Sequence, residues 1–128
     1  MIFVDSNVFI YAVGRAHPLR TEAQKFFVEC RKNGARLITS AEVLQELLHV
    51  YLPVRRMETL DAALELAMSG IDQIIPINQD TVLHARHLAD RFPGLTARDL
   101  LHLAVCQTKK IKELKTFDRN LLTAFNGT

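Results

Sequence analysis

The segment from Met1 to Val13, MIFVDSNVFIYAV, constrains the fold more than any other stretch of the chain. Ile2, Phe3 and Val4 form an unbroken apolar run, the pattern of a strand buried on both faces in the middle of a parallel sheet. Asp5 breaks the run. Asp5, Ser6 and Asn7 are helix-start residues, and the apolar stretch Val8 to Val13 leaves the strand as one or two buried helical turns. An acidic side chain is thereby carried to the C-terminal tip of a central strand, which in open α/β sheets is the rim of the ligand crevice. Asp5 taken alone reads equally well as a helix cap.

Downstream, strands alternate with one or two helices. Pro18 opens an amphipathic helix whose stripe is Leu19, Ala23, Phe26, Phe27 and Cys30, with Asn33 and Gly34 as its stop. Arg36 to Thr39 is short and β-like. Ser40 caps a helix beginning near Ala41, in which Val43, Leu44, Leu47, Leu48 and Tyr51 face the core until Pro53 ends it. A helix from about Arg56 to Ser69 turns Met57, Leu60, Leu64, Ala67 and Met68 inward. Ile71 to Ile77 reads as a strand at a sheet edge, because Pro76 cannot donate to a ladder. Gln79 to Phe92 is a helix packed through Val82, Ala85, Leu88, Ala89 and Phe92; Thr96 caps another running to about Lys109; Glu113 to Phe117 is a last strand, and Arg119 to Phe125 a closing helix. This alternation predicts an α/β fold in a single domain, residues 1–128, with a parallel sheet covered on both faces.

Composition narrows the function classes. A chain of 128 residues can bury roughly two thirds of its unfolded surface and needs no disulfide or structural metal. No apolar run approaches the roughly 20 residues of a membrane span, and no basic region precedes the first apolar stretch, so a cytoplasmic protein without membrane contact is expected. Cys30 and Cys106 lie in separate apolar patterns and form no CxxC, which predicts reduced core residues. No GxGxxG or Walker loop follows any strand.

The chemistry must therefore be sought among carboxylates. Asp5 follows the first strand, Glu46 sits on the helix after the second, Asp99 opens the helix before the last strand, and Asp118 follows that strand. All four can converge on one end of the sheet. Crowded carboxylates repel, and a hard divalent cation such as Mg²⁺ or Mn²⁺ relieves the repulsion through oxygen ligation. With four of the 14 acids assigned to one site, 16 basic residues face ten acidic ones, a balance suited to attracting a polyanion around a bound cation. Each acid also has a structural reading: Asp5, Asp99 and Asp118 as helix caps, Glu46 as a solvated residue four positions after Glu42.

Asp5-Ser6-Asn7 after an apolar strand, Ser40 with Val43-Leu44-Gln45-Glu46-Leu47, Ala97-Arg98-Asp99-Leu100-Leu101-His102-Leu103-Ala104, and Thr116-Phe117-Asp118 form an ordered set spanning nearly the whole chain. In this order and spacing the set resembles the PIN domain family, and most of all the small VapC-type toxins of prokaryotic toxin–antitoxin pairs. The resemblance implies a three-layer α/β/α sandwich with a central parallel sheet of four or five strands and an Mg²⁺- or Mn²⁺-dependent endoribonuclease. It matches Asp5, Glu46, Asp99 and Asp118 to the family's acidic quartet, and Ser6, Asn7 and Thr116 to the polar residues that hold those acids. Asp5 and Asp99 are the first choices as direct ligands, with Asp118 direct or through water and Glu46 holding or orienting a water. An RNA substrate, a cognate antitoxin protein and a homodimer are the implied partners. Two departures stand out: Asn120 occupies a position that is acidic in many relatives, and little chain remains after the last helix for a fifth strand.

Other residues admit two readings. Arg98, beside Asp99, can clamp a phosphate. His49 and His102 lie three residues after Glu46 and Asp99, beside the acids or simply packed. His84 and His87 share a stripe without further ligands to complete a zinc site, and a solvated face explains them. Tyr51 and Leu52, in the segment from Ser40 to Met68, are expected to be exposed and to offer apolar surface for a dimer. An RNA-binding or scaffolding protein of the same fold with weak or no catalysis is the alternative function. A DxD phosphatase is disfavoured, since Asn7 stands where its second Asp is needed.

Overall fold

The computed structural model describes residues 1–128. Eleven elements follow in the order β1 (Ile2–Val4), α1 (Ser6–Val13), α2 (Pro18–Asn33), β2 (Leu37–Ser40), α3 (Ala41–Tyr51), α4 (Met57–Gly70), β3 (Gln73–Ile75), α5 (Gln79–Arg91), α6 (Ala97–Thr108), β4 (Glu113–Lys115) and α7 (Arg119–Asn126). The sheet has four strands in the order β3-β2-β1-β4, every pair parallel. β1 is therefore interior, flanked by β2 through Ile2 and Phe3 and by β4 through Ile2 to Val4. The apolar run that opens the chain occupies the place its composition predicts. β3 is an edge strand and stops at Ile75, immediately before Pro76. There is no fifth strand.

Helices cover the sheet in the expected α/β/α arrangement. α1 packs on α2 and α4, and α3 on α4, around a core of 20 buried residues that includes Phe3, Phe9, Ile38, Leu47 and Ala63. α5 packs on α6 over a smaller cluster containing Leu88, Leu100, Leu103 and Leu121. Helix ends follow local chemistry. Pro18 begins α2, whose C-cap Gly34 takes φ 70°, a left-handed conformation open to glycine at no steric cost. Ser40 accepts from the Val43 N–H at the start of α3. The buried Thr39 hydroxyl donates to the Val4 carbonyl at 2.7 Å, tying the ends of β2 and β1 together just below Asp5. No helix is long and apolar enough to cross a membrane.

The structure corrects several burial expectations. Val82 on α5 is 52% exposed, and Leu48, Met57 and Met68 also face outward. Tyr51 is buried, as its place in the α3 stripe predicts and against its assignment to an exposed dimer surface, with the Arg56 guanidinium over its ring; Leu52 is exposed as expected. The buried stripes are narrower than expected: α5 buries Ala85 and Leu88 of its stripe, and α4 buries Ala63, outside its expected stripe, while Met57 and Met68 are left outside. Cys30 and Cys106 are both buried free thiols, and burial followed by the charge of Asp5 pushes Cys106 up to about 12. Leu47→Ala, at a wholly buried position, should cost about 2–5 kcal/mol in chemical denaturation. Val82→Ala should change stability by no more than about 0.5 kcal/mol; similar losses for both would overturn this assignment of the core.

Candidate active site

Asp5 sits where β1 becomes α1, and it is only 4% exposed. Its N–H donates to the Lys115 carbonyl at the end of β4 (3.0 Å), which fixes the backbone between two strands. Its carboxylate divides its work. Oδ1 accepts from the Ser6 N–H at 2.7 Å and caps α1, while Oδ2 accepts from the Thr116 hydroxyl at 2.7 Å and from Asn7 Nδ2 at 3.3 Å. The cap and the site are thus properties of one side chain.

Ser6, Asn7 and Thr116 connect this carboxylate to the other elements. The Ser6 hydroxyl donates to Glu46 Oε2 on α3 at 2.7 Å. Asn7 donates to Thr116 Oγ1 and accepts the Phe117 N–H through Oδ1, each at 3.2 Å. Thr116 Oγ1 in turn accepts from the Asp118 N–H at 3.0 Å. Asp118 Oδ1 accepts the N–H groups of Asn120 and Leu121, capping α7. Asn120 itself is exposed.

His102 is the residue to which sequence reasoning gave too little weight. It is 1% exposed, packs against Phe3 with ring centroids 5.5 Å apart, and places Nε2 2.5 Å from Glu46 Oε1 and 3.5 Å from Asp5 Oδ1. The acidic partner assigns the proton to Nε2, and Nδ1 is buried without a partner. A readable signal existed: His102 is one turn from Asp99 on α6 and interrupts an otherwise apolar run. His49, the parallel candidate on α3, is exposed. His84 joins Gln107 at 2.7 Å and no metal-ligand cluster forms around it. Arg98 places Nε 3.6 Å from Glu42 Oε1.

Burial and charge act in opposite directions on these groups. Burial raises Asp5 above the ordinary carboxylate range, and the negative charge of Glu46 adds to the rise against the pull of His102, Thr116 and the Ser6 N–H. Burial would also raise Glu46, but the hydrogen bond and charge of His102, the Ser6 hydroxyl and Arg98 bring it below its usual value. Burial would lower His102, and its hydrogen bond to Glu46 together with the charges of Asp5, Glu46 and Asp99 raises it instead. Asp99, in the first turn of α6 with its N–H on Thr96 Oγ1, is raised by burial and further by Asp118 and Asp5. The structure thus puts Asp5, Glu46 and His102 in the tightest group, with ligand atoms within 4.8 Å of one another. Asp99 and Asp118 lie outside that group, and Asp99 feels the charges of Asp118, His102 and Asp5.

This donor set fits a hard divalent cation. Carboxylate oxygens dominate it, and Asp5 and Asp99, raised by burial and then by neighbouring negative charge, are acids that a cation would relieve.

The PIN domain family model matches residues 2–125. This chain belongs to the PIN domain family. Ribonuclease VapC23 of Mycobacterium tuberculosis is 54% identical to this PIN domain over 127 residues, covering 99% of this chain and all of the relative. Ribonuclease VapC13 of the same species is 41% identical over 119 residues, covering 93% and 91% of the two chains. Among solved structures, the sarcin-ricin loop cleaving toxin VapC20 of M. tuberculosis superposes with a TM-score of 0.82 over 97% of this chain and 95% of that one. At 18% identity that likeness shows a shared fold.

Thr116 tests how the network is held in this PIN domain. Thr116→Val keeps the shape but removes the donor to Asp5 and the acceptor for Asn7 and Asp118. It should cost about 1–3 kcal/mol in urea unfolding; a cost below about 0.5 kcal/mol would mean the hydroxyl holds nothing in place.

Proposed function

We propose that this chain, acting as one PIN domain over residues 1–128, is a metal-dependent endoribonuclease and the toxin of a toxin–antitoxin pair, working in the cytoplasm. The observation that carries the reading is the convergence of Asp5 and Glu46 at the C-terminal end of β1, with Asp99 feeling the charges of Asp118 and Asp5, in a chain more than half identical to a VapC ribonuclease. Asp5 and Asp99, with Asp118 and Glu46, would hold Mg²⁺ or Mn²⁺. When bound, that ion supplies positive charge and Lewis acidity at the scissile phosphodiester.

The protein's own groups set the stage for hydrolysis. Thr116, Asn7 and the Ser6 N–H hold the Asp5 carboxylate in one orientation, which removes reorganisation from the reaction. Glu46 stays anionic because His102 and Ser6 donate to it, so its oxygens can accept from a water and orient it toward phosphorus. Arg98, at the rim, offers its guanidinium to a phosphate, with Glu42 keeping the side chain near the site. A cognate antitoxin follows from the family. Exposed Leu48, Val50, Leu52, Val54 and Met57 give a second copy of the chain an apolar surface to cover; sedimentation at the mass of one chain, 14.5 kDa, would remove the dimer.

RNA cleavage by the full chain should require Mg²⁺ or Mn²⁺, stop with chelator, and fall by about 100-fold or more in Asp5→Asn. Activity indifferent to both treatments would refute the reading. RNA binding without any cleavage would favour the scaffolding alternative. Arg98→Ala should weaken RNA binding about tenfold while leaving the unfolding midpoint nearly unchanged; equal losses in both would make Arg98 a structural residue.

A further inference from the structure

Three rings run outward from the acidic cluster and take no part in its chemistry. Phe117 lies between Thr116 and Asp118 in the chain, and its N–H on Asn7 Oδ1 locks it to the site's own framework. Tyr11 is one helical turn beyond Asn7 on α1, on the same face, and meets Phe117 edge-on, with centroids 5.5 Å apart and planes at 88°. His17, the N-cap of α2, sets its ring 4.9 Å from that of Tyr11 at 36°. Phe117 and Tyr11 are half-buried, and His17 at the outer end is exposed. Rings that served only the core would be covered at the outer end. Lys115 adds a cation, with Nζ 5.1 Å from the Phe117 centroid and Glu22 at 3.5 Å.

We infer that Phe117, Tyr11 and His17 form a ladder of rings, with Tyr11 held edge-on by Phe117 and His17 lying over Tyr11, whose exposed outer end takes by stacking an unpaired RNA base flanking the phosphodiester held at the acidic cluster, an inference that rests on the ribonuclease reading above. Bases of every sequence have a face that stacks on aromatic rings, and only an unpaired base can leave its neighbours to do so. Lys115 stands beside the ladder to offset the charge of an adjoining phosphate. The ladder therefore selects single-stranded or looped RNA over a duplex, while the carboxylates carry the reaction.

The probe is a short single-stranded oligoribonucleotide containing 2-aminopurine, whose emission falls when the base stacks, added to the full chain in the presence of chelator so that it is not cut. The wild-type chain should quench it, and the same sequence in a duplex should not be quenched. Tyr11→Leu should weaken binding about tenfold and lose the quenching, whereas Tyr11→Phe should keep both. His17→Asn removes the outer ring but retains a capping oxygen for the Leu19 N–H, so it tests the ladder even if Tyr11→Leu fails to fold. In separate cleavage assays with Mg²⁺, Tyr11→Leu should raise KM and leave kcat in place. Absent quenching in the wild type, equal quenching in His17→Asn, or equal binding of the duplex would overturn the ladder. Quenching by a wild-type chain that never cleaves RNA would uphold the ladder and sink the nuclease instead.

Discussion

The burial of the Asp5 carboxylate is the constraint from which the rest of the structure can be reasoned. A charged carboxylate nearly removed from water costs several kcal/mol unless other groups replace its hydration. Here the replacements come from three separate parts of the chain: Ser6 and Asn7 on α1, Thr116 after β4, and His102 on α6. Each hydrogen bond to a charged group contributes on the order of 1.5–3 kcal/mol. A single side chain can thus draw β4 and α6 against the end of β1 while leaving the carboxylate poised above its ordinary proton affinity. The same arrangement that closes the fold at this end leaves a donor set compatible with a cation.

His102 explains how that tension is tolerated in the protein alone. Its Nε2 proton stands between Glu46 and Asp5, so one positive or partly positive group is shared by two acids. The partnerless Nδ1 on the buried side of the ring is the residual cost. Neutralisation by a fixed imidazole is weaker than by a divalent ion, and it leaves Asp99 still raised by burial and by Asp118 and Asp5. The arrangement is stable enough to fold and still receptive to a cation, a division of labour expected where stability and chemistry share side chains.

The order and type of all eleven elements were legible in the chain because their periods are distinct and their boundaries are marked: Asp5, Pro18, Gly34, Ser40, Pro53 and Thr96 each announce an end or a beginning. The placing of acids after β1 and β4 was legible for the same reason, since strand ends in this architecture share one rim. Burial along the helices was less so. Val82 and Leu48 were misplaced because a helical stripe fixes only which residues share a face, and the depth of each depends on how the neighbouring helix crosses it. His102 was visible as a polar break in an apolar run, but its partner Glu46 lies on another helix, and no local pattern encodes that meeting.

The competition between cap and ligand that Asp5 and Asp118 posed in the sequence dissolves at the level of atoms. A carboxylate has two oxygens, and Asp118 uses Oδ1 for both N–H groups at the start of α7. Capping thereby fixes the side chain and orients its other oxygen, while the Thr116 hydroxyl on the Asp118 N–H ties that same residue to Asp5. Asp5 likewise holds α1 through Oδ1 and meets Thr116 through Oδ2. Helix starts supply rigid, positively polarised backbone to acids that would otherwise repel one another, so a fold that ends its strands in capping acids has already assembled much of a cation site. What distinguishes this chain from one with ordinary caps is that Ser6 and His102 bring Glu46, from the side of a helix rather than its end, to the same point.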